Sequence, residues 1–76
     1  MTRQQSAAII AAQITLLRSQ RGLTTAELAK RVGSSSQHVH AHLAGRRTPT
    51  VHALVEYARA LNVKPSELVA CLDGVK

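Results

Sequence analysis

Hydrophobic positions along this chain recur every three to four residues and hardly anywhere alternate, so the pattern predicts helices and no sheet. From about Arg3 to Gln20, Ile10, Ile14 and Leu17 fall at i, i+4, i+7 and define a buried stripe. Ile9, Ala12 and Leu16 form a second stripe on an adjacent face. So wide an arc reads as a core helix touching two neighbours, or as one whose Ile9 or Leu16 also meets a second copy of the chain. Gly22 ends this helix, because glycine accepts the left-handed conformation of a C-cap. A short second helix opens at Thr24, where Thr24 and Glu27 have the spacing of a capping box, and it buries Leu28, Ala29 and Val32.

Gly33 begins a turn, and Ser34 or Ser35 caps a third helix. Ser34 would pair with Gln37 in a second capping box. The helix carries Val39 and Leu43 four residues apart and stops at Gly45. A loop of residues 46–50 follows, in which Pro49 biases Thr48 towards extended geometry. Thr50 caps a fourth helix with Val51, Leu54, Val55, Ala58 and Leu61 in period, and Asn62 stands at its left-handed C-cap. Pro65 fits the first position of a fifth helix whose apolar side is Leu68, Val69 and Leu72, while residues 73–76 are expected to fray. The prediction is an all-α, compact five-helix domain spanning residues 1–76. Two short helices joined by a glycine turn at about 24–44 outline a helix-turn-helix, which places its second helix in the major groove of DNA.

Charge sharpens that outline. The net charge is +6, which attracts nucleic acid, anionic membranes or acidic proteins. No acidic residue lies between Glu27 and Glu56, and that window holds Lys30, Arg31, Arg46, Arg47 and all 4 histidines. Positive potential is therefore concentrated on the suspected motif. The single cysteine, Cys71, can make no internal disulfide, so nothing implies an oxidising compartment. The apolar stretch at Ala7 to Ala12 is far shorter than the roughly 20 residues of a membrane span, and polar residues at helical spacing spoil it as a signal peptide. A soluble, cytoplasmic, nucleoid-associated protein with no membrane partner is expected.

The segment from Gly22 to Leu68 resembles the lambda-repressor-like helix-turn-helix family, which includes the Cro and XRE-type regulators. The matching residues are Gly22-Leu23-Thr24, Glu27-Leu28-Ala29, Val32-Gly33, Ser35, Val39, Gly45-Arg46-Arg47, Pro49, Ala58, Ala60-Leu61, Val63 and Glu67-Leu68. Ala29 stands where the two motif helices cross, and a larger side chain there would force them apart. Some positions depart from the family pattern. His42 replaces a residue that is usually Ile, Val or Trp, and Ser34 replaces another apolar one. Leu43 stands where many relatives have a Glu paired with the arginine equivalent to Arg18, which leaves Arg18 free for solvent or phosphate.

The resemblance implies that the third helix reads DNA. By register, Ser36 and Gln37 face base edges first, and His40 and Ala41 follow one turn later. The Gln37 amide can donate and accept together, as adenine N6 and N7 require, and Ala41 offers apolar contact to a thymine methyl. His40 can donate to guanine N7 or O6, and Ser36 is an adaptable, weakly specifying contact. No Arg or Lys stands among these residues, so DNA shape should share the work of recognition. Thr25, Ser35, His38, Arg46, Arg47 and Thr48 are the candidates for phosphate contact, which positions the protein without reading sequence. Thr25 is shorter than the Gln many relatives carry there.

His38 and His42 lie four apart on one helix face, but no Cys or carboxylate nearby completes a metal site. Histidines near the recognition helix could instead gain charge near pH 6 and strengthen DNA binding. No nucleophile, base and orienting group come together, and no glycine-rich phosphate loop is present, so neither an enzyme nor a cofactor is expected. A double-stranded-DNA-binding repressor acting as a homodimer on a palindrome is the leading reading, with Val69, Leu72, Val75 or Tyr57 as candidate interface residues. The rival is an antitoxin that neutralises a toxin and regulates its own operon. A third reading is a DNA-binding module separated from a sensing part.

Overall fold

The computed structural model describes residues 2–70. They form α1 (Arg3–Gln20), α2 (Thr25–Val32), α3 (Ser36–Leu43), α4 (Val51–Leu61) and α5 (Pro65–Val69), with no strand among them. The expected all-α, five-helix architecture is what is found. Leu72, Val75 and Cys71 lie outside the described residues.

Side-chain caps set where each of the first four helices begins. Thr24 accepts from the Glu27 amide at 3.1 Å while the Glu27 carboxylate accepts from the Thr24 amide at 2.9 Å. Those bonds, backbone first, hold the Glu27 carboxyl below its ordinary value. Thr2 and Gln5 form a second such box, which opens α1. Thr50 accepts from the Ala53 amide. At α3 the cap is Ser35, whose hydroxyl accepts from the His38 amide at 3.1 Å. The alternative box from Ser34 to Gln37 is not made, because Ser34 belongs to the turn: its own amide donates to the Ala29 carbonyl at 3.0 Å.

Gly33 is what permits that turn. Its φ of 73° and ψ of 31° lie in the left-handed region, where a Cβ would meet the following carbonyl. The same i to i−5 closure recurs at three other helix ends, through Leu23 to Arg18, Arg46 to Ala41 and Val63 to Ala58.

Packing departs from the sequence pattern in three places. On α1 the buried residues are Ala7, Ile10, Ala11 and Ile14, with Leu17 half-buried. The second expected stripe stays largely in solvent: Ala12 is exposed, Leu16 is 52% exposed, and only Ile9 is half-buried. The helix meets α3, α4 and α5 on the alanine side instead, where short side chains admit close neighbours. On α4, Val51 is 79% exposed because it sits in the first turn, beyond the end of the core. Tyr57 takes its place in the period 54, 57, 58, 61 and is buried, so it is not available as an interface residue. Leu28, Ala29, Val39, Ala58, Leu61 and Leu68 complete the core around Ile10 and Ile14.

Arg18 is the third correction. It does not face solvent or phosphate: its Nη1 donates to the Leu23 carbonyl, and its Nε is buried without a partner. In place of the Glu many relatives supply from α3, the guanidinium uses the loop between α1 and α2. Arg21 plays a similar part, donating from Nε to the Leu61 carbonyl and so tying the end of α1 to the end of α4.

Candidate nucleic-acid interface

α2 and α3 pack on one another across Ala29, which is 2% exposed, and both rest on the core through Leu28 and Val39. This leaves the first turn of each helix side by side at the surface. Between them runs an open groove of about 620 Å³ lined by Thr25, Ala26, Ser36, Gln37, His40 and Arg46. Five of the ten residues expected to contact DNA therefore share one concavity. Ser36, Gln37 and His40 are exposed, Ala41 is half-buried beside them, and no acidic residue lines the groove.

The other candidates lie to either side. Arg47 and Thr48, with Arg46 again, line a groove of about 550 Å³ against the start of α1, whose lining includes Arg3, Gln4 and Gly45. His38 faces away from Gln37, into a smaller groove of about 280 Å³ with Ser34, His42, His52, Glu56 and Tyr57. Ser35 has its hydroxyl engaged as the α3 cap. Arg3 and Gln4 were not among the expected contacts. The signal was available in the periodicity, since positions 3, 7, 10 and 14 lie on one face of α1 and the last three are buried.

α3 is held from behind by a polar contact. His42 is only 5% exposed, and its Nδ1 lies 2.7 Å from the Tyr57 hydroxyl on α4, a hydrogen bond whose donor depends on the histidine tautomer. The His42 ring stands edge-on to Tyr57 at 5.6 Å between centroids and edge-on to His38 at 4.8 Å. A row of three rings thus links α3 to α4. Burial holds the His42 imidazole below its ordinary value of 6.5, and the neighbouring His38 and Arg47 push it the same way. Burial also pushes the Tyr57 phenol up to about 12. His42 is therefore harder to protonate than a free imidazole, which makes it a poorer candidate than an exposed histidine for gaining charge on acidification. Among the described residues, no group of three or more His, Cys, Asp or Glu is placed to hold a metal ion. None of the described helices is long and apolar enough to cross a membrane.

A model of a helix-turn-helix domain family matches residues 9–71, most of the chain. The chain belongs to the XRE-type helix-turn-helix family of transcriptional regulators. An uncharacterised helix-turn-helix-type transcriptional regulator of Sinorhizobium fredii is 40% identical over 65 residues, which is 86% of this chain and 84% of that protein. The crystal structure of a family transcriptional regulator from Vibrio cholerae superposes with a TM-score of 0.84 at 29% identity, covering 91% of this chain. This chain spans 39% of the Vibrio one. For a family member the groove between α2 and α3 is the expected DNA face. The resemblance read from Gly22 to Leu68 is thereby extended upstream into α1.

Proposed function

We propose that this regulator represses transcription by binding a palindromic operator as a homodimer, with α3 of each copy in successive major grooves. Half-sites one helical turn apart, about 34 Å, suit a two-fold pair of such short recognition helices. The observation that carries this reading is the groove between the first turns of α2 and α3. It presents the hydroxyl, amide and imidazole of Ser36, Gln37 and His40 between Thr25 on one side and Arg46 on the other, with no carboxylate on its walls.

In this reading Gln37 and Ser36 meet the base edges first, with His40 and Ala41 one turn later. Thr25 contacts the backbone on the α2 side, and Arg46, Arg47 and Thr48 contact it on the loop side. His38 and Ser35 approach the opposite wall of the groove, His38 through its ring and Ser35 through the hydroxyl proton its cap leaves unused. The apolar stripe on α1, with Ala12 and Leu16 exposed and Ile9 half-buried in the single chain, supports a contact between copies.

The test is selection of bound duplexes from a random pool at about 100 mM salt, followed by binding of the winner by wild type and Gln37→Ala. The expected result is an enriched inverted repeat, bound two chains to one duplex. The substitution should weaken binding by about 1–3 kcal/mol and relax preference at one base per half-site. Absence of any enriched sequence would overturn operator reading. An enriched single half-site bound by one chain would overturn the dimer.

A further inference from the structure

We propose that the start of α1 is part of the DNA-binding surface: Arg3, with Gln4, joins Arg46 and Arg47 in clamping a backbone phosphate beyond the stretch read by α3. This rests on the DNA-binding reading above. Arg3, Gln4, Arg46, Arg47 and Thr48 line one groove, which brings together arginines from two separate elements. All three arginines are exposed, and among the described residues none of them has a carboxylate partner; the ion pair found there joins Arg59 to Glu56. Three unpaired cations facing one concavity repel one another, and an anion seated between them relieves that repulsion.

Two features say which anion. Arg46 lines this groove and also the groove holding Ser36, Gln37 and His40, so the two adjoin across one side chain. A duplex seated on α3 would thus carry one of its strands along the Arg46 ridge and past Arg3. The approach is also built in rigidly. Gly45, at φ 75°, brings the end of α3 against α1, and a Cβ placed there would lie 3.4 Å from the Ala8 Cα. Arg3 stands just over one helical turn before Ala8 and is therefore fixed next to the loop that carries Arg46 and Arg47. The family model matches from residue 9, so Arg3 and Gln4 lie outside the matched segment.

The experiment measures binding of the selected operator from about 50 to 200 mM salt by wild type, Arg3→Ala, Arg3→Lys and Arg59→Ala. One lost phosphate contact lowers the slope of log K against log salt by about 0.9, so the affinity lost across that range shrinks about threefold. Arg3→Ala is expected to show this change with base preference intact, and Arg3→Lys to restore it. Arg59→Ala removes the same charge from a side chain that lines neither groove and should leave the slope at the wild-type value. A neutral methylphosphonate at one position flanking each half-site should weaken wild type more than Arg3→Ala, which keeps only Arg46 and Arg47 on that phosphate. Equal slopes for wild type and Arg3→Ala, or equal sensitivity to every methylphosphonate, would overturn the clamp while leaving operator reading by Gln37 intact. Failure of wild type to bind any duplex would overturn both. Arg3 is exposed, so circular dichroism of the variant should match wild type.

Discussion

Replacing Tyr57 with Phe is the sharpest probe of how α3 is held. The change keeps the ring and removes one oxygen, the partner 2.7 Å from His42 Nδ1. With His42 at 5% exposure and Tyr57 at 2%, little of either side chain is open to a water that could replace that oxygen. A buried polar atom left without its partner costs about 1–3 kcal/mol. In a domain of this size each kcal/mol moves Tm by about 4–8 °C, so a fall of about 4–24 °C is expected. His42→Leu should be costly for the mirror reason, since it strands the Tyr57 hydroxyl. The double variant removes both polar atoms and should be far less destabilised than the sum of the singles, with a coupling of at least about 1 kcal/mol. Urea unfolding of the four proteins, with m values checked for constancy, measures the cycle. If the singles sum to the double within about 0.5 kcal/mol, the two side chains do not depend on each other and the account of the ring row is wrong.

Titration gives a second handle on the same pair. Folding holds the His42 imidazole below 6.5, so the unfolded chain binds more protons from that value down to the folded one; stability should fall as pH drops below 6.5, and this limb should be missing in His42→Leu. Folding also raises the Tyr57 phenol from 10.0 to about 12, so stability should fall again as pH rises between those values, and not in Tyr57→Phe. Chemical denaturation across pH checks both, and identical profiles for wild type and variant would refute them. Gly33→Ala meets nothing within 4 Å and so suffers only backbone strain at φ 73°, about 1–2 kcal/mol. Gly33→Asn should be milder because Asn tolerates that conformation; an Asn variant less stable than the Ala variant would point to a clash instead.

Local physics explains what was legible along the chain and what was not. Thr24 with Glu27, the glycines at 22, 33 and 45, Asn62 and Pro65 act within a few residues of themselves, and each stands at the boundary its chemistry predicts. The ambiguity between Ser34 and Ser35 was settled by a bond inside the turn, Ser34 to Ala29, which only the folded backbone makes. The expected DNA residues of α3 follow from one helical register, so Ser36, Gln37 and His40 emerged on one face together.

The sequence by itself determined the five helices, their caps, the glycine turn and the basic stretch without carboxylates, because each depends on neighbours a few residues away. Which face of α1 is covered, that Tyr57 rather than Val51 enters the core, and that Arg18 turns to the Leu23 carbonyl were decided by tertiary packing. So were the pairing of His42 with Tyr57, 15 residues away, and the meeting of Arg3 with Arg46 and Arg47 across the contact of Ala8 with Gly45. Helical periodicity tells which residues share a face, but not which neighbour a face will meet; that depends on the closest approach the side chains of two helices allow.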